Sequence, residues 1–204
     1  WLPTLVPTNP PAVADPGVYP SGFVSTLMGM PAFHIPFWFL ASLISLEIFH
    51  YFVGRLWTSQ LRLAIGAVAF YLIGYYLNLY VDFFSRGWIF WLVNLIPLGY
   101  AFYLTGMLVR RSGILDRSYP RWQLALVVLA CIAGVFLTYD LNQGPWRLGL
   151  EAVVIVAGAP GDIIWFPITA LIGITMVIAV AKLLPQWRFL QYLGEITLLI
   201  YGLH

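Results

Sequence analysis

The sequence predicts an all-α, polytopic integral membrane protein: a bundle of five complete transmembrane helices, with a sixth cut off by the end of the sequence. Hydrophobic residues make up 61% of the 204 residues and charged residues 9%, whereas soluble domains are roughly 45–50% apolar and about 25% charged. The apolar residues fall into runs close to the roughly 20 residues that a helix needs to cross a bilayer about 30 Å thick. The net charge is only +2 and the basic residues are scattered over several loops, which excludes a surface for nucleic acid.

Two regions divide the chain. Residues 1–33 carry seven prolines, one acid and no base, which predicts an extended, extracytoplasmic segment lying over one face of the membrane. Residues 34–204 form the helical bundle. Its last span covers only 16 residues, about 24 Å at 1.5 Å per residue, so we expect the natural protein to continue beyond it. The expected spans are residues 35–54, 63–81, 87–109, 122–139, 163–181 and 189–204.

Polar and aromatic residues distinguish the individual elements. The third span contains Asn94 and Pro97, which predicts a kinked helix with a polar group facing the interior of the bundle. Between the fourth and fifth spans, residues 150–157 are too few to cross the bilayer and too apolar for a free loop, so we expect a strand or an interfacial segment. Tryptophans, Trp57 among them, lie near the span ends, which is typical of an interfacial aromatic belt.

The basic residues orient the bundle, because Lys and Arg accumulate in cytoplasmic loops. With residues 1–33 outside, the outer side receives only Arg86 and Arg147. Arg110 and Arg111 then open a basic cytoplasmic loop, which either contacts lipid head groups or helps to bind an anionic cytosolic donor such as a coenzyme A thioester. The cytoplasmic side receives eight basic residues, Arg55, Arg62, Arg110, Arg111, Arg117, Arg121, Lys182 and Arg188.

Glu47 and His50 are the candidates for chemistry inside the first span. A charged carboxylate there costs on the order of 2.5–3.5 kcal/mol on insertion scales, and His50 follows one helical turn later on nearly the same face. The two side chains could share a proton or a hydrogen bond. They form either a structural polar pair that joins helices or part of a polar cavity with an acid–base role. A metal site would need further carboxylates and histidines that the spans lack, so no metal is expected.

Three stretches of the chain together resemble one family. Residues 36–55 (PFWFLASLISLEIFHYFVGR) and 102–111 (FYLTGMLVRR) are similar to two of its spans. Residues 168–204 end in LGEITLLIYGLH, which is similar to the family pattern Leu-Gly-x-x-Ser-Leu-x-Ile-Tyr-x-x-His, with Thr197 in place of the serine and His204 at the last position. This is the integral-membrane acyltransferase family 3, whose members are O-acyltransferases of bacterial glycans and related acceptors.

The resemblance implies a ten-span enzyme of the bacterial inner membrane, of which this chain holds roughly the fourth to the ninth span. It implies transfer of an acetyl or similar acyl group from acetyl-CoA or another acyl-CoA to a hydroxyl of a cell-envelope or exported carbohydrate. The family's catalytic histidine, a general base, lies in an earlier span, so we expect it upstream of this sequence. Glu47, His50 and His204 would assist it, and Arg110 and Arg111 would contact the donor phosphates. Implied partners are the lipid bilayer, the carbohydrate acceptor and other subunits of envelope-polysaccharide biosynthesis.

Two other functions stay open on the residues alone. A transporter or flippase of a glycan or a lipid-linked substrate would also carry Glu47, Asn94 and Pro97 inside its spans. A non-catalytic membrane subunit would need no catalytic base within the chain. A basic residue followed by a histidine in an upstream apolar span would favour the enzyme.

Overall fold

The structure, a computed structural model, describes most of the predicted bundle. It contains five long helices: α1 (Phe37–Val53), α2 (Gln60–Tyr80), α3 (Ile96–Arg111), α4 (Arg121–Thr138) and α5 (Trp165–Leu183). Together with their adjoining 3-10 turns, all five are long and apolar enough to cross a membrane, which confirms the predicted fold class. The described residues are 23–24, 27–29, 37–81, 83, 90–144, 146–147, 150–151, 153–155, 159–185, 188, 191–192 and 194–197.

The two ends of the chain lie largely outside this description. Most of the predicted extracytoplasmic segment falls there, as do His34 and His204. Within the predicted sixth span, residues 191–192 and 194–197 are helical.

Local sequence signals set several helix starts. Ser59 is the N-cap of α2, and its hydroxyl accepts a hydrogen bond of 3.2 Å from the Arg62 amide. Pro97 occupies the first turn of α3, where its missing N–H would have no partner within the helix. Asp162 Oδ1 accepts a hydrogen bond of 2.9 Å from the Trp165 amide at the start of α5. Each signal deals with one of the amide groups that a helix leaves unpaired in its first turn.

Helices α2 and α3 make the most extensive contact in the described part of the chain. At Gly74 the two backbones touch so closely that a Cβ atom would collide with the backbone of Leu98. Gly66, two turns earlier on α2, leaves room for the Trp57 ring. Small residues of this kind allow membrane helices to approach each other closely. The core at this contact consists of Leu63, Ala67, Tyr100 and Leu104.

The third predicted span is a broken helix. A 3-10 segment, Phe90–Leu95, precedes α3, and within it Trp91 and Leu92 have φ angles of 47° and 53°. This left-handed region is one that non-glycine residues rarely adopt. Ser45 on α1 donates a hydrogen bond of 2.7 Å to the Trp91 carbonyl, and the Trp91 amide donates to the Met28 carbonyl at 3.0 Å. Contacts from distant parts of the chain therefore hold the break in place.

Two buried asparagines join α2 to this broken helix. The Asn94 side-chain amide donates to Asn78 Oδ1 at 3.1 Å, and the Asn78 side-chain amide donates to the Asn94 carbonyl at 3.0 Å. Both residues are buried. The predicted kink and the inward-facing polar group are thus both present, although the break itself precedes Asn94.

Helices α4 and α5 form a hairpin whose connection packs against α2. Strands β1 (Trp146–Arg147) and β2 (Leu150–Glu151) pair antiparallel, so the region expected to be a strand or an interfacial segment does contain a short strand. Beyond it, the Tyr71 hydroxyl donates to the Ile163 carbonyl at 2.6 Å and the Tyr75 hydroxyl to the Gly161 carbonyl at 2.9 Å. Two tyrosines, one turn apart on α2, therefore hold the chain just before α5.

The other end of α5 is fastened by a lysine. Lys182 Nζ donates hydrogen bonds to the carbonyls of Leu115 and Arg117 in the loop between α3 and α4. The same ammonium group lies 5.1 Å from the centroid of the Tyr119 ring, within the range of a cation–π contact. The end of α5 is thus tied to the connection between α3 and α4, which directly follows Arg110 and Arg111.

Candidate functional site

An open groove between α1 and α3 brings together groups that can bind a ligand. It has a volume of about 510 Å³ and is lined by His50 from α1 and by Tyr103, Met107, Arg110 and Arg111 from α3. This volume falls within the roughly 300–1,000 Å³ of small-molecule sites. The α3 residues share one face because they are three or four positions apart. Tyr103 and Arg110 are separated by about 10 Å along the helix axis, so the groove has an aromatic end and a basic end.

A hydrogen-bond chain stands behind the aromatic end of the groove. Trp57 Nε1–H donates to the Tyr100 hydroxyl at 2.7 Å, and His50 Nδ1 lies 2.8 Å from the same hydroxyl. Tyr100 is fully buried. The rings of Phe49 and Phe70 meet the Tyr100 ring edge-on at centroid distances of 4.9 and 5.0 Å. Close packing therefore fixes the Tyr100 hydroxyl. We call these three hydrogen-bonded side chains the Trp57–Tyr100–His50 chain.

The imidazole of His50 is also held by its other neighbours. Its centroid lies 4.7 Å from the centroid of the Tyr103 ring. On the α1 side, a Cβ atom on Gly54 would come within 3.0 Å of Cε1 and 3.1 Å of Nε2 of the His50 ring. Gly54, one turn after His50, thus provides the space in which the ring lies, and the imidazole has little freedom to turn.

Glu47 lies on the same helix, but the structure does not join it to His50. Among the described residues no hydrogen bond connects the two, and His50 Nδ1 lies instead within hydrogen-bond distance of the Tyr100 hydroxyl. Glu47 is exposed on the surface of the described bundle, and its carboxylate faces the hydroxyl of Tyr103. The predicted common face of Glu47 and His50 is therefore present, and Tyr103 stands beside both.

The two arginines at the basic end of the groove differ in their surroundings. Arg111 donates from Nη2 to the Trp57 carbonyl at 2.9 Å and from Nη1 to the Thr58 carbonyl at 3.2 Å. Arg110 is exposed, and its guanidinium makes no hydrogen bond to the described part of the chain. Its guanidinium keeps five N–H donors for an anion, whereas that of Arg111 is largely used to hold the turn between α1 and α2.

Sequence reasoning missed the two residues that position His50. Trp57 lies directly after the end of the first span, as predicted; in addition, its ring packs inward against Gly66, and its N–H donates to the Tyr100 hydroxyl. Tyr100 is 50 residues further along the chain and lies on another helix, so helical spacing from His50 cannot reveal it. For Trp57, the available signal was its position seven residues after His50 in the sequence.

Other predicted site features fall outside this groove. His204 lies outside the described residues. Within the part of the chain that the structure describes, no three His, Cys, Asp or Glu side chains come together in a group that could hold a metal ion.

Comparison with known proteins gives one match. The model of a family described as an acyltransferase domain matches residues 9–204, nearly the whole chain, and it corresponds to acyltransferase family 3. No curated protein and no solved structure matches the chain.

Proposed function

Because the chain belongs to acyltransferase family 3, we propose that this membrane acyltransferase moves an acetyl or similar acyl group from an acyl-CoA to a hydroxyl of a cell-envelope or exported carbohydrate. The family match provides the reaction class, which is acyl transfer within a membrane. The donor and the acceptor are the proposed part. The observation that carries the proposal is the groove between α1 and α3, with a free arginine at one end and a fixed histidine at the other.

The groove suits a donor that is anionic at one end and reacts at the other. Arg110 offers a free guanidinium, whose planar set of N–H groups matches phosphate oxygens. Met107 supplies an apolar wall between the basic end and the aromatic end, and an unbranched linker can lie along such a wall. His50 and Tyr103 would then stand beside the thioester. Coenzyme A thioesters have this order of phosphate, linear arm and acyl group.

Two features support a cytoplasmic donor and an acceptor from the envelope side. Arg110 and Arg111 belong to the predicted side that holds eight of the ten basic residues, and such a bias supports a cytoplasmic position. Acyl-CoA is made in the cytoplasm, so the donor would enter the groove from that face. The acceptor class rests on the family resemblance of residues 36–55, 102–111 and 168–204, as does placement in a bacterial inner membrane.

The donor is tested with the full-length protein in membranes. Radiolabelled acetyl-CoA should label the envelope carbohydrate, and Arg110→Ala should raise KM for acetyl-CoA by about 10- to 150-fold, since losing one charge-assisted hydrogen bond costs roughly 1.5–3 kcal/mol. A smaller change in kcat is expected, because the lost contact is made equally before and during reaction. Arg121→Ala is the matched control: Arg121 is an exposed base at the start of α4 and lies outside the groove, so its KM should not move.

Two results would count against this function. Absence of labelling in wild-type membranes would remove the proposed donor or acceptor. Equal KM values for the Arg110 and Arg121 variants would place the donor somewhere other than this groove.

A second candidate function, transport of a glycan or lipid-linked substrate, is favoured by one observation. The helix broken at Trp91 and Leu92 resembles the discontinuous helices that line transporter binding sites. Purified full-length protein in liposomes distinguishes the two functions: movement of a lipid-linked glycan across the bilayer without any acyl-CoA would favour transport. Acyl transfer without such movement would favour the enzyme.

A further inference from the structure

The Trp57–Tyr100–His50 chain assigns a proton position in the groove. The indole N–H of Trp57 can only donate, so the Tyr100 oxygen is an acceptor in their bond of 2.7 Å. The Tyr100 hydroxyl has one proton of its own to donate. Within the described residues, the atom in reach of that proton is His50 Nδ1, at 2.8 Å.

The alternative arrangement leaves a buried group unpaired. If His50 Nδ1 carried a proton and donated to Tyr100, the Tyr100 O–H would have no acceptor among its described neighbours. Tyr100 is 0% exposed, and a buried hydroxyl without an acceptor is unfavourable. The Nδ1 atom of His50 is therefore the acceptor, and a neutral imidazole carries its proton on Nε2.

The remaining ring nitrogen, Nε2, has no hydrogen-bond partner within the described residues. Tyr100, which engages Nδ1, does not line the groove, whereas His50 does. We propose that His50 is a neutral hydrogen-bond donor, through Nε2–H, to the carbonyl oxygen of the acyl group in the groove, and that Tyr100 and Trp57 are positioning residues that fix this tautomer. This inference rests on the proposed function for the identity of the ligand, but not for the tautomer itself.

The donor role fits the charge that acyl transfer creates. The acceptor hydroxyl oxygen forms a bond to the acyl carbon, its proton passes to a general base, and the carbon–sulfur bond then breaks to release the coenzyme A thiolate, which takes up a proton. The carbonyl oxygen becomes negative in between, and a preplaced N–H donor stabilises it. His50 does not serve as the base at Nε2, because that atom already carries a proton. The upstream histidine expected from the family resemblance is left to take the proton.

The tautomer can be measured without any acyl donor. In full-length protein labelled with 15N-histidine, the His50 signals, assigned by their loss in His50→Asn, should show an unprotonated Nδ1 and a protonated Nε2 at neutral pH. Tyr100→Phe should turn this single tautomer into a mixture, because the donor to Nδ1 is gone. Tyr103→Phe is the control, since its ring stacks parallel to that of Tyr100 but its hydroxyl is not in the chain; the tautomer should persist. A wild-type spectrum with Nδ1 protonated would overturn the proposal.

The role of Nε2–H is tested by two amide substitutions at His50. The side-chain amide of Gln places an N–H near the position of Nε2, whereas that of Asn places it near Nδ1. His50→Gln should therefore keep a substantial part of kcat, and His50→Asn should lose about 100-fold or more, as when an oxyanion donor is removed. Equal activities for the two variants, whether high or low, would overturn the donor role, provided that both variants keep the wild-type thermal midpoint.

The two experiments separate this inference from the proposed function. If wild-type protein transfers no acetyl group but shows the Nε2–H tautomer, the proposed donor or acceptor fails while the assigned proton stands. If acetyl transfer is observed and the wild-type tautomer is Nδ1–H, the proposed function stands and the inference fails.

Discussion

Neighbouring residues of the same type take different roles at the basic end of the groove. Arg111 closes the turn between α1 and α2 through the carbonyls of Trp57 and Thr58, while Arg110 stays free. One helical step, about 100° around the axis, separates the two side chains. The carbonyls that Arg111 satisfies follow a 3-10 turn and have few other partners, which gives that side chain a structural task.

This difference predicts that Arg111 contributes to the stability of the protein, whereas Arg110 contributes to donor binding. Arg111→Ala should lower the free energy of unfolding by about 1 kcal/mol, as expected for an exposed pair of charge-assisted hydrogen bonds, and reduce the thermal midpoint of the protein in detergent by about 2–4 °C. Arg110→Ala should leave the thermal midpoint unchanged. A drop of equal size in both variants would show that the two arginines do not divide the work in this way.

For single residues, the sequence predicted which face of a helix a side chain occupies, but not which distant residue it contacts. The spacing of Glu47 and His50 correctly placed both on one side of α1, since helical periodicity is local. The partner of His50 is Tyr100, which helical spacing cannot reveal because it lies on another helix. The inward packing of Trp57 was not predicted for a related reason: a tryptophan beside a span end has the same pattern whether it faces lipid or a neighbouring helix.

At the scale of the helices, the contact between α2 and α3 depends on one glycine, which has no side chain. Gly74 is buried where the α3 backbone passes, at Leu98. That crossing lies about two turns from Gly66, which leaves room for the Trp57 ring and the Leu104 side chain. Because α3 carries most of the groove lining, the position of the groove follows from this contact.

Adding a methyl group at the crossing should therefore destabilise the bundle. Gly74→Ala places a Cβ against backbone atoms that cannot rotate away, and overpacking of this kind costs about 1–3 kcal/mol. In Gly173→Ala on α5, where no described atom lies within 4 Å, the better helix propensity of alanine should dominate. Thermal unfolding in detergent should show a lower midpoint for the first variant and an unchanged or higher midpoint for the second. A Gly74 variant as stable as wild type would mean that the helices can separate without cost.

The broken helix shows which part of an element can be predicted. Asn94 and Pro97 indicated a kink, because a polar group inside a span and a proline near it both disturb regular helix hydrogen bonding. The left-handed turn at Trp91 and Leu92 was not indicated, since neither residue type favours that conformation. The Ser45 hydroxyl holds the turn, and such a distant contact has no local sequence signal.

In the whole described molecule, two groups of helices are joined near both ends of α5. Helices α1, α2 and α3 form one group, and the α4–α5 hairpin forms the other. Tyr71 and Tyr75 hold the chain before α5, while Lys182 holds the loop between α3 and α4 at the opposite end. The described contacts between the groups include few polar side chains, so these attachments should control their relative movement.

Removing both tyrosine hydroxyls tests this connection. Tyr71→Phe with Tyr75→Phe keeps the rings but releases the carbonyls of Gly161 and Ile163. Amide hydrogen exchange in residues 159–165 should become faster, by about fivefold to tenfold if the two bonds together contribute roughly 1–1.5 kcal/mol to local closure. Tyr76→Phe is the control on the same helix, because its hydroxyl donates no hydrogen bond within the described chain. Unchanged exchange in the double variant would show that other contacts hold this segment.

The overall class of the molecule followed from composition and periodicity, because a bilayer demands long apolar helices whatever their packing. The five long helices α1–α5 were all predicted for that reason. The attachment of α5 to α2 was not predicted, since Tyr71 and Tyr75 donate to backbone carbonyls. Every residue carries such a carbonyl, so the sequence does not show which one accepts. The existence of a helix can be predicted from the local sequence pattern. The arrangement of the helices depends on pairs of residues that meet only after folding.

The Trp57–Tyr100–His50 chain also has a consequence for biosynthesis. His50 and Glu47 enter the membrane with α1, and Tyr100 follows 50 residues later, roughly 3–10 s at a synthesis rate of about 5–20 residues per second. During that interval the imidazole has no Tyr100 hydroxyl, and α1 must remain in the bilayer through the favourable insertion of its Leu, Ile and Phe residues alone. The apolar residues of α1 thus serve the nascent chain as well as the finished bundle, because they hold His50 and Glu47 in the membrane until Tyr100 is made.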